Sequence, residues 1–285
     1  MTRIANIEGR LALVLPDGVI DVERASDGRF GAAPQHVYEQ WSAFADWAGS
    51  ADLSADSPLP EDAAWWSPVP EPRQIVAIGI NSRIELEQFG LGEPTGVGFI
   101  SKLQSSLGHP FAPITITSER VYVETEVAVV VGRRAWHVGE ADAWSHVAGL
   151  AVAEDLADAD AYVSIPGTRD GVADVTYHNP AKSLPGFAPV GPQRVTPDEV
   201  ADVDDLTLSL SIDGRIVQHG TTRDYLHSIA EIIARLSHQV PLLPGDVILT
   251  GSPGQLESSP LEPLRPSSTV VSTIDGLGRQ VHVTE

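Results

Sequence analysis

Glu124 and Glu126 interrupt an otherwise apolar stretch, VYVETEVAVVVG, at a spacing of two residues. On a strand that spacing points both carboxylates to one face. Glutamate is a poor strand former and like charges at close range repel, so a strand that keeps such a pair asks for something to neutralise it. A second acidic island follows in AVAEDLADADAY, where the apolar run VAGLAVA ends. Asp155 sits at that strand end, with Glu154, Asp158 and Asp160 close in sequence. Two strand carboxylates and one from a neighbouring strand end supply three hard oxygen ligands. That set suits Mg²⁺ or Mn²⁺, with water or substrate oxygens filling the remaining positions. A divalent cation would also cancel the repulsion within the pair. The competing reading is an edge strand whose two glutamates face water.

Composition narrows the classes. The 285-residue chain carries a formal net charge of −21, which argues against nucleic acid or an anionic membrane as partner. It has no cysteine, so disulfides and thiolate metal sites are excluded. No apolar run reaches the roughly 18 residues of a membrane span, and MTRIANIEGR lacks a signal-peptide core. The expectation is a soluble, cytoplasmic protein. Positive charge comes from sixteen arginines and two lysines, Lys102 and Lys182. A chain that otherwise uses arginine keeps lysine where a compact ammonium is needed, or by chance.

The elements that must position these groups follow from periodicity. Residues 1 to about 70 form a first unit, with short strands around turns at Glu8-Gly9 and Asp17-Gly18. A helix is predicted over QHVYEQWSAFADWA, where Val37, Trp41, Phe44 and Trp47 recur every three or four residues. LSADSPLPEDAAWWSPVPEPRQ, rich in Pro, Asp and Ser, reads as a loop or linker. From residue 71 to 285 the pattern is strand-rich, with a hairpin signal at Asp213-Gly214. RDYLHSIAEIIARLSHQ is a predicted helix with Leu226, Ile229, Ile233 and Leu236 on one stripe. The fold class expected is α+β and mostly β.

In order along the chain, IVAIGIN, FISKLQSSLGHPFAPI, VYVETEVAVVVGRRA, VAGLAVAEDLADAD, PAKSLPGFAPVGP, LSIDGRIVQ and LLPGDVILTGSPG resemble the successive motifs of the fumarylacetoacetate hydrolase family, from Ile75 to Gly278. The resemblance implies a mixed β-sheet roll, with a small N-terminal domain over residues 1–70 that fits more loosely, and a homodimer. It implies Mg²⁺ or Mn²⁺ on Glu124, Glu126 and Asp155, and it puts Lys182 on the family's active-site lysine. Lys102, Gln218 and Ser252 fall on positions that recur at the substrate. The implied chemistry is hydrolysis of a C–C bond in a small oxo-acid or β-dicarbonyl substrate through a metal-stabilised enolate, with Lys182 adding positive charge where the oxyanion grows.

The chain departs from that pattern in two stretches. The family's Gly-x-Asn-Tyr-x-x-His appears as GINSRIELEQFG, so Ser82 replaces the tyrosine and Glu85 the catalytic histidine. The family's Ser-x-Arg-Asp reads Ala157, Asp158, Ala159, Asp160 without the arginine, and Tyr162 stands for a glutamine. Three outcomes follow: Glu85 is a substitute base with a raised pKa; or enolate chemistry proceeds without water activation, as isomerisation, decarboxylation or cyclisation; or the chain is an inactive binding or scaffold homologue. An exposed Glu85 on a short helix, and a solvated His178 near Lys182, are the plain alternatives for those two residues.

Overall fold

The computed structural model describes residues 2–51, 63–169, 173–256 and 262–285. Much of the stretch expected as a linker, residues 52–62, lies outside the described residues. The architecture is mostly β with a large mixed sheet, as the periodicity predicts. Its centre is the antiparallel pair Val121–Val131 and Val147–Asp158, in register from Val121 opposite Asp158 to Val130 opposite Gly149, with a shift before Val131 pairs with Val147. These are the Val- and Ala-rich runs of the sequence, and a strand without polar alternation is one buried on both faces. Alternate residues do feed different cores. Val127, Val129 and Val131 pack with the helix Ile229–Ser237, while Ala128 and Val130 pack with Phe30, Trp41 and Phe44 from the N-terminal region.

On one side of this pair lie Ala188–Val195, then Arg3–Ile7, Arg10–Leu15 and Gly18–Asp21. On the other lie Val247–Leu249, Ile75–Ile78 and Phe99–Lys102. Val247–Leu249 and Ile75–Ile78 run parallel, which makes the sheet mixed. The first 70 residues therefore do not stand apart: Arg3 pairs with Val195 and Ala5 with Gln193, so their strands extend the same sheet. A second sheet of four strands, Arg215–Thr221, Thr207–Ile212, Thr269–Ile274 and Gly278–Val283, packs behind the central pair. The Asp213-Gly214 hairpin forms as expected, with both residues at positive φ.

Two predicted helices are shorter than their apolar stripes. Gln40 leaves helical geometry at φ −127°, so the N-terminal helix splits into His36–Glu39 and Trp41–Ser50. The later helix begins at Ile229 because Ser228 caps it, accepting the Glu231 N–H at 3.1 Å; Leu226 lies outside it. No described helix is long and apolar enough to cross a membrane.

Candidate metal centre and cavity

The strand register brings the three acidic residues together. Glu124 lies directly opposite Asp155, and Glu126 is two residues further on the same face. One carboxylate oxygen from each of Glu124, Glu126 and Asp155 lies within 4.8 Å of the others. Glu126 and Asp155 are buried and Glu124 is half-buried, so the edge-strand reading does not hold.

The surroundings of these oxygens are arranged in detail. Glu126 Oε2 accepts the Gly251 backbone N–H at 2.7 Å. Gly251 has φ +89°, and a Cβ there would come 2.6 Å from Asn81 Cβ, so the approach requires glycine. Asn81 holds the same loop, its Nδ2 donating to Thr250 O at 2.8 Å and to His227 O at 3.2 Å. The Tyr225 hydroxyl donates to Gly251 O at 2.6 Å. Neither Asn81 nor Tyr225 stood out in sequence as a support of the site. Burial and the nearby charges of Asp155 and Glu124 push the Glu126 pKa well above the usual carboxylate range. A donor set of three hard oxygens, one of them destabilised by the other two, fits a divalent cation.

Both lysines reach Asp155. The Lys102 ammonium contacts Asp155 Oδ1, and it donates to Phe187 O at 2.7 Å and Leu156 O at 3.2 Å. The Lys182 ammonium contacts Asp155 Oδ2 from the one-turn helix Asn179–Lys182. Burial opposes charge on Asp155, but the two ammonium groups outweigh it and hold its carboxyl below the ordinary value. Burial likewise opposes charge on Lys182, but Asp155 and Glu124 dominate and raise it. Burial, with Lys182 beside it, lowers Lys102.

A cavity of about 480 Å³ opens over this cluster. Glu124, Glu126, Asp155, Lys182, Ser252 and Glu85 form its polar part. Glu85, on the helix Arg83–Phe89, is buried rather than exposed. Ser252 Oγ lies 3.1 Å from Glu85 Oε1 and 3.0 Å from Glu124 Oε1. Burial first, then the charge of Glu124, pushes Glu85 up to about 9. The upward direction is the one expected of Glu85 as a substitute base.

Tyr162 and His178 also line the cavity, their rings in edge contact at 5.1 Å. Two expected substrate contacts do not. Lys102 is sealed behind Asp155, with no exposed side chain. Gln218 is fully buried, and its Oε1 accepts the Thr125 N–H at 2.9 Å, between the two strand glutamates. Sequence reasoning missed Tyr122, whose signal was available: it precedes Glu124 by two and shares its face.

Residues 74–283 match the family described as fumarylacetoacetate (FAA) hydrolase C-terminal. The chain belongs to the fumarylacetoacetate hydrolase family. Among its relatives, the human mitochondrial oxaloacetate tautomerase FAHD2A is 33% identical over 205 residues, 70% of this chain; the match spans only 63% of the human protein's length. The 2,4-didehydro-3-deoxy-L-rhamnonate hydrolase of Sphingomonas sp. (strain SKA58) is 31% identical over 239 residues, covering 83% of this chain and 79% of that one. A Mycobacterium smegmatis crystal structure provisionally described as an HpcE protein superposes with a TM-score of 0.89 at 37% identity, over 99% of this chain and 98% of that one. Maleylpyruvate hydrolase from Sphingobium sp. SYK-6, solved with manganese(II) and pyruvate, shares the fold at a TM-score of 0.78 and 23% identity, over 99% and 98% of the chains.

Proposed function

We propose that this protein is a divalent-metal-dependent enzyme that holds Mg²⁺ or Mn²⁺ on Glu124, Glu126 and Asp155 and cleaves a C–C bond in a small oxo-acid or β-dicarbonyl substrate. The observation that carries this reading is the convergence of those three carboxylates, with Lys182, on the floor of one cavity. A bound ion would supply Lewis-acid polarisation of adjacent substrate oxygens.

The remaining steps belong to the chain's own groups. Lys182, fixed by Asp155, places its ammonium at the cavity floor where negative charge develops on the substrate. Lys102 contacts no substrate; it is a positioning residue that holds Asp155 from behind. Ser252 Oγ bridges Glu85 and Glu124, sharing one hydroxyl proton between two carboxyl oxygens. Glu85, its pKa raised by burial and by Glu124, borders the cavity where it can exchange a proton with bound substrate, and Tyr162 borders the same space.

The place of Glu85 at the cavity favours a second reading, tautomerisation or isomerisation, in which Glu85 takes a proton from one substrate atom and returns it to another, and no water is activated. Titration with Mn²⁺ followed by calorimetry tests the shared premise. Wild type should bind the ion, and Glu126→Gln should weaken binding by at least about a hundredfold. Equal binding by the two proteins would remove the premise. With 2,4-dioxopentanoate in H₂¹⁸O, label in a product carboxylate identifies hydrolysis. In ²H₂O, deuterium uptake at C3 without cleavage, faster than in the enzyme-free control, identifies tautomerisation.

A further inference from the structure

The carboxylates and the ammonium of the cavity cluster together, with Tyr162 and His178 as the other polar side chains lining it besides Ser252 and the Tyr122 hydroxyl. Its walls are built by Ile78, Ile80, Phe89, Phe99, Ile100 and Tyr122. Ile78 is fully enclosed, Ile80, Phe99, Ile100 and Tyr122 are half-buried, and Phe89 is 63% exposed. These apolar side chains range from the covered Ile78 to the exposed Phe89. Among the described residues lining the space, the basic side chains are Lys182, already engaged by Asp155, and His178, which is exposed. No arginine lines it. At about 480 Å³ the space falls within the range of pockets that enclose drug-sized ligands, more room than a four-carbon acid occupies.

We infer that the substrate carries one carboxylate, held at the floor, and a distal arm that is apolar and uncharged, lodged against Phe89, Phe99, Ile80 and Tyr122. This deepens the proposed function and rests on it. A second carboxylate on that arm would leave water for a wall of Ile80, Phe89, Phe99 and Tyr122, which among the described residues offers no buried cation of its own. An ion desolvated without a partner is strongly disfavoured. An alkyl or aryl arm of the same length instead buries against those four side chains and gains from each methylene removed from water. The chain therefore selects by rejecting the diacid as well as by accepting the apolar acid.

A matched pair of 2-oxo acids tests this on the full-length protein saturated with Mn²⁺, read by calorimetric binding. The pair is 2-oxohexanoate and 2-oxoadipate, alike in length and head group and different only in the terminal carboxylate. Oxalate, which is head group alone, serves as the third probe. The expected result is that oxalate binds and 2-oxohexanoate binds at least about thirtyfold more tightly than 2-oxoadipate, since unpaired burial of a charge costs well over a tenfold in affinity. Oxalate binding together with equal or tighter binding of 2-oxoadipate overturns the inference and leaves the metal reading standing. Failure of all three to bind strikes the metal reading itself. Phe89→Arg, at an exposed wall position, should narrow the gap by tenfold or more. An unchanged gap in that variant overturns the placement of the distal arm on this wall.

Discussion

Two carboxylate systems lie back to back on the same pair of strands. In front, Glu124, Glu126 and Asp155 face the cavity with two lysines at hand. Behind, Thr125 and Glu154, paired with each other in register, face the four-stranded sheet. There Glu154 Oε1 accepts from Ser272 Oγ at 2.7 Å, and Ser272 Oγ accepts from Thr125 Oγ1 at 2.7 Å. His282 Nε2 stands 3.5 Å from Glu154 Oε2. Burial raises the Glu154 pKa, with His282 and Ser272 only partly opposing it. The rear carboxyl is thus handled by a lone position, hydroxyl donors and loss of solvent. The front three cannot be, because they crowd one another. One residue of offset along a strand separates a group that demands a cation from one that does not.

The lysines offer the largest effects for testing this contrast. Lys102 is sealed, and Lys182 is 13% exposed at the cavity. Lys102→Met leaves a buried pair half-broken and abandons two backbone carbonyls, so stability should fall by about 3 kcal/mol or more. Denaturant unfolding checks it. Lys182→Met should unfold close to wild type and lose turnover by about 10²–10³-fold, the size of losing one oxyanion-stabilising group. If both variants lose stability alike, the division between a positioning and a reacting lysine fails.

A middling effect is expected at the rear. Ser272→Ala removes the hydroxyl between Thr125 and Glu154 and should cost about 1–3 kcal/mol of stability. Because the four-stranded sheet holds the back of the strand and not the ion, Mn²⁺ affinity should change less than tenfold. A large loss of affinity with unchanged stability would show that the rear network sets the front geometry, merging the two systems.

The front system was legible in the sequence and the rear was not. Glu124 and Glu126 show themselves because alternation is a property of any strand, and their charge contradicts the apolar run around them. Asp155 could be placed only as a strand-end candidate until the register set it opposite Glu124. Thr125, Ser272 and His282 carry no local pattern; their contact depends on a second sheet folding over the first. Lys102 and Gln218 were singled out, but local sequence does not state on which side of a carboxylate a side chain stands. The extent of the sheet was also hidden: Pro- and Ser-rich sequence after residue 52 looked like a boundary, yet strands before it pair with Ala188–Val195. Glu85 could be read as solvent-facing or as a base. Its burial against Ser252 depends on the Gly251–Gly254 loop arriving from far along the chain.

Asp158, at the end of the same strand, shows a third way of holding a carboxylate and gives the smallest effect. It is buried, and it accepts from Thr117 Oγ1 and Ser118 Oγ, each at 2.6 Å, and from the Asp160 N–H at 2.9 Å. Burial opposes its charge, yet these donors prevail and hold its pKa below the ordinary value. A carboxyl whose pKa is lower folded than unfolded binds protons less readily in the native state. It therefore adds stability above the unfolded value, near about 4, and that contribution disappears as pH falls through the folded value. Asp158→Asn keeps the volume and removes the charge. Urea unfolding should find it about 1 kcal/mol less stable than wild type at pH 7, with the difference closing as pH falls below about 4. A gap that stays constant down to pH 3 would mean that shape, not charge, is what the hydroxyls of Thr117 and Ser118 hold in place. The front cluster and Glu154 would then be the carboxylate sites on these strands, among the described residues, whose ionisation the fold has to manage.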